Sequence, residues 1–145
     1  MGNTEDRKTI AILLVGHGSR LEYNKEMLTL TADMIHKKRP AYIIKTCFLE
    51  YGTPDIPEGL SQMRREEFDV LLVVPLFLAK GVHVLRSIPS LLGLEPDKKT
   101  GTFTLSSGRV VPLVYAEPIG ADELLADLML KNADAALTSL NDTEY

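Results

Sequence analysis

Apolar residues occur along the chain in short continuous runs, which are separated by longer segments where they recur every three or four positions. The four runs, rich in leucine and β-branched residues, cover residues 10–16, 43–49, 70–77 and 110–116. Continuous apolarity over such short lengths is typical of strands covered on both faces, as in parallel sheets. The pattern therefore predicts a four-stranded parallel sheet.

The segments between and after these runs have helical spacing. The predicted helices cover residues 21–38, 53–66, 82–93 and 121–140. The last has the most regular apolar stripe, formed by Leu125, Leu128, Met129, Ala136 and Leu140. Such a stripe predicts a helix that buries one face.

The alternation of strands and helices predicts a flavodoxin-like three-layer α/β sandwich with right-handed crossovers. A length of 145 residues fits one domain, which we assign to residues 9–145. Residues 1–8 are polar and are expected to form a loose N-terminal tail. The polar segment 95–109 is expected to be a long surface loop with a hairpin turn at "SSG".

Charge and cysteine usage narrow the cellular context. The formal net charge of −4 argues against nucleic acid or an acidic membrane as the main partner. Cys47 is the only cysteine, which excludes an intramolecular disulfide or a cysteine metal cluster and fits a reducing compartment. No apolar run approaches the roughly 20 residues that span a bilayer. We therefore expect a soluble cytoplasmic domain.

Three residues that carry chemistry follow predicted strands. His17 ends the first strand in "AILLVGHGSR", Glu50 ends the second in "CFLEYG", and His83 follows the third in "LAKGVHV". In a flavodoxin-like order the first and third strands are neighbours, and ligands bind beyond the carboxyl ends of the strands. The sequence therefore predicts that His17 and His83 face one crevice, with Glu50 on the same edge of the sheet.

Each of these residues also has a purely structural interpretation. His17 could fill a tight turn with its imidazole bonded to the backbone, and Glu50 could cap the following turn. Arg20, Lys80 and Arg86 border the predicted crevice and could bind anions, although isolated basic residues are usually only surface residues. His36, the third histidine, is not expected to belong to the site. It precedes "KKRP" at a helix end, where a solvated side chain is expected.

The donor set favours a site through which a metal passes. Imidazole binds cobalt, nickel, iron and zinc well. Two histidines without an obvious third protein ligand suit a metal that must leave better than a permanent structural ion. A carboxylate or a neutral imidazole could accept protons from a ligand that is being metallated.

Four blocks, in order, closely resemble the short single-domain sirohydrochlorin chelatases of archaea, which are related to the larger class II chelatases. The blocks are "ILLVGHGSR", "FLEYGTPDIPEGL", "VVPLFLAKGVHVLRSIPSLLG" and "VYAEPIGADELLADLML", and the resemblance covers roughly residues 9–140. It implies a domain equivalent to half of a two-domain class II chelatase. It also implies a homodimer that binds the tetrapyrrole in the cleft between its subunits.

The resemblance implies roles for individual residues. His17 and His83 match the family's metal-binding histidines, and Glu50 matches its acidic partner in catalysis. The loops around the two histidines are expected to bind the polycarboxylate substrate, through Gly18, Ser19, Arg20, Lys80, Gly81, Val82 and Arg86. The metal is a substrate, with cobalt, nickel or iron as candidates, and its insertion releases two protons. No permanently bound cofactor is expected.

Two departures from the family pattern stand out. Some short members carry a histidine-rich loop, whereas the segment 95–109 contains no histidine. Many relatives have an acidic residue before "IP", where this chain has Arg86 and Ser87. These residues make the rim of the crevice more cationic and remove a possible additional metal ligand.

Two other functions remain open on the sequence alone. A non-catalytic flavodoxin-like module that binds a phosphate or a flavin would use the same edge of the sheet. The histidine in the first loop, where serine, threonine or more glycine would be expected, argues against it. A metal-dependent hydrolase would require more carboxylate ligands than the sequence offers.

Overall fold

A computed structural model describes residues 8–142 of the chain, with side chains to residue 140. The strands are β1 (Ile10–Gly16), β2 (Ile43–Phe48), β3 (Val70–Pro75), β4 (Thr100–Thr104) and β5 (Val110–Tyr115). The helices are α1 (Glu22–Lys38), α2 (Ile56–Arg64), α3 (Ile88–Leu91) and α4 (Glu123–Asp142), and a π-helical turn, the π-turn, spans His83–Ser87. Within the described range, no helix has the length and apolarity needed to cross a membrane. Residues 1–7 of the predicted tail lie outside that range.

The α/β prediction is confirmed, and the order of the sheet is β2-β1-β3-β5-β4. All four predicted strands are present and pair in parallel, with β1 between β2 and β3. The carboxyl ends of β1 and β3 are therefore neighbours, as the flavodoxin-like order requires.

The prediction of a four-stranded sheet is wrong, because β4 adds a fifth strand at the edge. It lies within the segment 95–109 that was predicted to be a loop, and it pairs antiparallel with β5. The "SSG" turn does join the two strands, since the Leu105 N–H donates to the Arg109 carbonyl. Only one face of β4 is buried, so that Phe103 packs in the core between exposed threonines. The composition of this half-buried edge strand is therefore polar, like that of a surface loop, which explains the prediction of a loop over 95–109.

The helix boundaries also differ from the predicted ones at two places. Helix α2 begins at Ile56 rather than at residue 53, and Asp55 caps it by accepting a hydrogen bond from the Glu58 N–H at 2.9 Å. The predicted helix 82–93 is divided into the π-turn and the short α3. The hydroxyl of Ser87, at the end of the π-turn, lies 3.2 Å from Nδ1 of His83.

The two faces of the sheet are covered unequally. The main core fills the face that packs against α2 and the π-turn, and it includes Leu13, Cys47, Met63 and Val73. Burial of Cys47 raises the pKa of its thiol to about 12, with a smaller contribution from Asp55, so the thiol is a core group.

On the opposite face, α1 covers a smaller cluster formed by Leu14, Leu28 and Phe48. The part of this face that lies over β5 is open, since Val110 and Pro112 are exposed. Helix α4 forms where predicted, but its apolar stripe is exposed as well. Its exposed apolar side chains include Leu124, Leu128, Met129, Leu130 and Leu137. A single chain therefore leaves both an apolar helix and an apolar sheet surface in contact with water.

Candidate metal centre

Three adjacent strands end at the same edge of the sheet, and each is followed by one candidate residue. His17 follows β1, Glu50 comes two residues after β2, and His83 opens the π-turn after β3. Backbone pairing continues beyond the strands, because the Glu50 N–H donates to the His17 carbonyl at 3.0 Å. This backbone hydrogen bond thus fixes the relative positions of the His17 and Glu50 main chains.

The three side chains converge on a small volume. Nε2 of His17 and Nε2 of His83 each lie 3.9 Å from the same oxygen, Oε1 of Glu50. One possible ligand atom from each residue falls within 4.8 Å of the others. All three side chains are about 40% exposed, at 44%, 40% and 39% for His17, His83 and Glu50. The cluster is therefore open to solvent on one side.

Gly18 allows the first two loops to approach each other. Its φ is +94°, and a Cβ built on it would lie only 1.6 Å from the backbone oxygen of Glu50. Any other residue would push the β1 and β2 loops apart. The Gly18 N–H donates to Asn24 Oδ1 at 3.1 Å, which anchors the loop to α1. No sequence pattern marked Asn24 for this role.

The hydrogen bond made by His17 determines which of its nitrogens is free. Nδ1 lies 3.0 Å from the Gly18 carbonyl oxygen. A carbonyl can only accept, so Nδ1 carries the proton and Nε2 keeps its lone pair in the neutral ring. This is the orientation that metal-binding histidines commonly use, with the nitrogen remote from the metal donating to a carbonyl. His17 thus presents a metal-binding nitrogen to the cluster.

His83 has a different partner. Its Nδ1 lies 3.2 Å from the hydroxyl oxygen of Ser87, one turn further along the chain. A hydroxyl can accept from a protonated Nδ1, and it orients the ring through the π-turn itself. The sequence marked Ser87 as one of two residues that stand where many relatives have an acidic residue. The spacing of four residues was the available signal for this contact.

Two imidazole nitrogens and one carboxylate oxygen on one side of an open site form a ligand set suited to a divalent transition metal. Metal–nitrogen bonds are roughly 2.0–2.1 Å long, so ligand atoms around one ion lie up to ~4 Å apart. The two separations of 3.9 Å fit this limit. A pair nearer the 4.8 Å bound for all three ligand atoms would need only small side-chain rotations. The open side leaves coordination positions for a second, incoming ligand.

The predicted basic residues have different surroundings. The Arg20 guanidinium lies over the Tyr51 ring, 5.0 Å from its centroid, beside a cavity of about 210 Å³. Arg86, in the π-turn, borders a larger cavity of about 780 Å³. Lys80 forms an ion pair with Glu117 at 3.4 Å. Glu117 also pairs with Lys99, whose hydrogen bond is the main cause that lowers the pKa of Glu117. Lys80 is therefore partly neutralised.

Apolar side chains occur along the loop and π-turn that carry His83, and most of them were not predicted as site residues. The rings of Phe77 and His17 meet edge to face, with a centroid separation of 5.9 Å. Leu78, Val82 and Leu85 are each more than half exposed, at 63%, 62% and 56%. They belong to the loop and π-turn that carry His83. Of these, only Val82 was predicted to bind substrate. Gly81, another predicted substrate-binding residue, lies in the same loop, and a Cβ built on it would meet no atom within 4 Å.

Comparisons with known proteins find one family along most of the chain. The family model described as CbiX matches residues 11–136. A sirohydrochlorin cobaltochelatase of Methanococcoides burtonii is 42% identical over 124 residues, covering 86% of this chain and 94% of that protein. One from Methanosarcina barkeri is 41% identical, covering 88% and 97%. One from Saccharolobus solfataricus is 32% identical, covering 86% and 94%.

Solved structures with the same fold include chelatases. The cobalamin biosynthesis CbiX protein of Marinobacter aquaeolei superposes with a TM-score of 0.63 at 22% identity, covering 90% of this chain and 98% of that one. The sirohydrochlorin chelatase SirB of Bacillus subtilis, in complex with cobalt, gives a TM-score of 0.60 at 25% identity. The matched region covers 79% of this chain and 45% of SirB, so the likeness concerns about half of the longer chain.

Proposed function

The chain belongs to the CbiX family, and on this premise we propose that it inserts cobalt(II) into sirohydrochlorin. The observation that carries the proposal is the convergence of His17 Nε2 and His83 Nε2 on Oε1 of Glu50, each at 3.9 Å. The relatives that cover most of the chain are named for this activity and this metal. The alternative of a flavin- or phosphate-binding module gains no support from these matches.

The proposed reaction exchanges one divalent metal ion for two pyrrole protons. His17 and His83 hold the incoming ion through their Nε2 lone pairs, and the macrocycle approaches from the open side. The ion bonds to all four nitrogens of the macrocycle, and only the two that carry a hydrogen each lose a proton. Oε1 of Glu50 lies 3.9 Å from Nε2 of both histidines, and we assign its carboxylate the role of accepting such a proton or guiding the ion out of the site.

The surroundings of the cluster support binding of a flat polycarboxylate. The exposed Leu78, Val82 and Leu85 offer an apolar surface to the ring. Arg20 and Arg86 offer positive charge to the peripheral carboxylates, and the loop backbone at Ser19 and Gly81 offers N–H donors, whereas the Gly18 N–H is already bonded to Asn24. Lys80 contributes less in this proposal, because Glu117 already neutralises part of its charge.

We further propose that the functional unit is a homodimer in which α4 packs against a second copy. Helix α4 exposes apolar residues such as Leu128, and the sheet face over β5 exposes Val110 and Pro112. Every chain carries both surfaces, so a two-fold pair can cover each helix with the partner's sheet face. A dimer also supplies a second wall for a macrocycle that one half-exposed cluster covers on one side only.

An absorbance assay tests the proposed activity directly. The purified protein is mixed with sirohydrochlorin and with cobalt, nickel or iron(II), offered separately and in competition. We expect cobalt to be inserted faster than in the absence of enzyme. Insertion of nickel or iron is a separate prediction, which the same assay tests. The matched control is a variant that carries both His17→Ala and His83→Ala. Equal rates for this variant and the unmodified protein would overturn the proposal.

A further inference from the structure

The π-turn that carries His83 has an unusual hydrogen-bond register. The Ile88 N–H donates to the carbonyl of His83, five residues earlier. In an α-helix the same donor would reach back only four residues. A π-helical turn contains one extra residue, and such turns are frequent at functional sites. Here the wider turn begins at the histidine itself.

The next hydrogen bond in this register cannot form within the backbone. Its acceptor would be the carbonyl of Val84 and its donor the N–H of residue 89. Residue 89 is Pro89, which has no N–H. Val84 is only 2% exposed, so leaving its carbonyl without a donor would be costly.

Tyr115 supplies the missing donor from another element. Its hydroxyl donates to the Val84 carbonyl oxygen at 2.8 Å, and this bond is buried. Tyr115 is the last residue of β5, the strand beside β3, and is 3% exposed. Burial, with a smaller contribution from Glu117, raises the pKa of Tyr115 to about 12. The hydroxyl therefore stays a donor at any pH suited to an assay.

We infer that Tyr115 is a positioning residue for His83. Its hydroxyl replaces the N–H that Pro89 lacks and so holds the π-turn in the register that directs His83 Nε2 towards Glu50. The bonded carbonyl belongs to the residue directly after His83, so little backbone freedom remains between the anchor and the imidazole. The inference rests on the proposed function only where it treats His83 as a metal ligand.

The first test is Tyr115→Phe, which removes the hydroxyl and keeps the ring. Amide hydrogen exchange at Ile88 reports on the π-turn without any metal, and we expect it to become about tenfold faster, as for the loss of one buried hydrogen bond. Titration with cobalt(II) alone should show affinity reduced by about 10-fold, the usual effect of removing a group that orients a ligand. The maximal insertion rate should fall, and KM for sirohydrochlorin should change little.

A second variant separates positioning from general stability. Pro89→Ala restores an N–H at residue 89, so the double variant Tyr115→Phe/Pro89→Ala should recover slow exchange at Ile88 and most of the cobalt affinity. The control is Leu113→Val, which loses a buried methylene on the same face of β5. It should lower thermal stability and leave exchange at Ile88 and cobalt affinity unchanged.

Three results would overturn the inference. These are unchanged exchange at Ile88 in Tyr115→Phe, a double variant no better than Tyr115→Phe alone, and a Leu113→Val variant that loses cobalt affinity equally. Failure of the proposed function would look different. The unmodified protein would then not insert cobalt, whereas exchange at Ile88 would still respond to Tyr115.

Discussion

The imidazole rings of His17 and His83 meet edge to face, with centroids 5.2 Å apart and an interplanar angle of 62°. One ring follows β1 and the other follows β3, so their contact depends on the parallel pairing of these two strands. A chain that fails to form the central sheet therefore has no such pair. The site and the fold are formed by the same strand pairing.

Removing either histidine should reduce insertion strongly and leave the fold intact. Both side chains are about 40% exposed, so His17→Ala and His83→Ala remove few core contacts. We expect each to lower kcat/KM by about 100-fold or more, since each removes a metal ligand. Initial insertion rates and circular dichroism measure the two effects. His36→Ala is the control, because His36 lies exposed near the end of α1. Loss of activity in this control, with activity retained in the other two, would contradict the site.

Glu50→Gln should lower the maximal rate more than it changes KM. The substitution keeps the shape of the side chain and removes the charge that faces both imidazoles. If the carboxylate accepts a proton or guides the ion, its loss affects the chemical step, by about 10²-fold for general base catalysis. Insertion rates against sirohydrochlorin concentration separate the two parameters. Glu58→Gln on α2 is the matched control. An unchanged maximal rate would remove Glu50 from the mechanism.

The sequence alone was sufficient to predict this cluster, because its three members follow strands whose apolar runs are unmistakable. The sequence was insufficient where a side chain acts through one hydrogen bond to the backbone of another element. Asn24 on α1 bonds to Gly18, and Tyr115 on β5 bonds to Val84, and no residue pattern marks such contacts. Strand β4 was missed because only Phe103 and its neighbour Leu105 turn inwards from a polar segment.

Arg86 and Lys80 should differ in their effect on substrate binding. Arg86→Ala removes a rim charge in the π-turn, and we expect KM for the polycarboxylate to rise several-fold and to depend less on salt. Lys80→Ala should have a smaller effect, because Glu117 already pairs with Lys80 at 3.4 Å. Insertion rates at low and high ionic strength measure both variants. A larger effect at Lys80 would place the substrate on the Glu117 side of the crevice.

A charge on the apolar stripe of α4 should dissociate the proposed dimer. Leu128 is 52% exposed in the single chain, and Leu128→Lys would bury a cation at the interface. Sedimentation should then show monomers, and insertion should fall with the loss of the second wall. Thr138→Lys adds the same charge to the polar face of α4 and serves as the control. A monomer for the unmodified protein, with and without sirohydrochlorin, would rule out the dimer and leave α4 to fold back on its own sheet.

Acid should weaken the fold through Asp69, which joins the entrances of β1 and β3. Its carboxylate accepts a hydrogen bond from the Thr9 N–H at 2.7 Å, while the Asp69 N–H donates to the Thr9 carbonyl at 2.8 Å. The Arg109 side chain, on the turn before β5, donates to the same carboxylate. The pKa of Asp69 is lowered from its ordinary value near 3.8. The largest cause is the hydrogen bond from Arg109, and the next is the hydrogen bond from the Thr9 N–H.

The direction of the pH effect follows from that shift. A carboxylate whose pKa is lower in the folded state stabilises the fold fully above its unfolded pKa, and this stabilisation is lost as the pH falls through the folded value. The free energy of unfolding, measured with urea from pH 7 down to pH 2.5, should therefore fall below about pH 4 in the unmodified protein. Asp69→Asn should be less stable at pH 7, and its deficit should narrow as the pH falls, because protonation removes the same charge from the unmodified protein. Asp33→Asn, on the exposed side of α1, should show no such narrowing. A deficit for Asp69→Asn that stays constant from pH 7 to pH 2.5 would mean that the charge of Asp69 does not contribute to the stability of the fold.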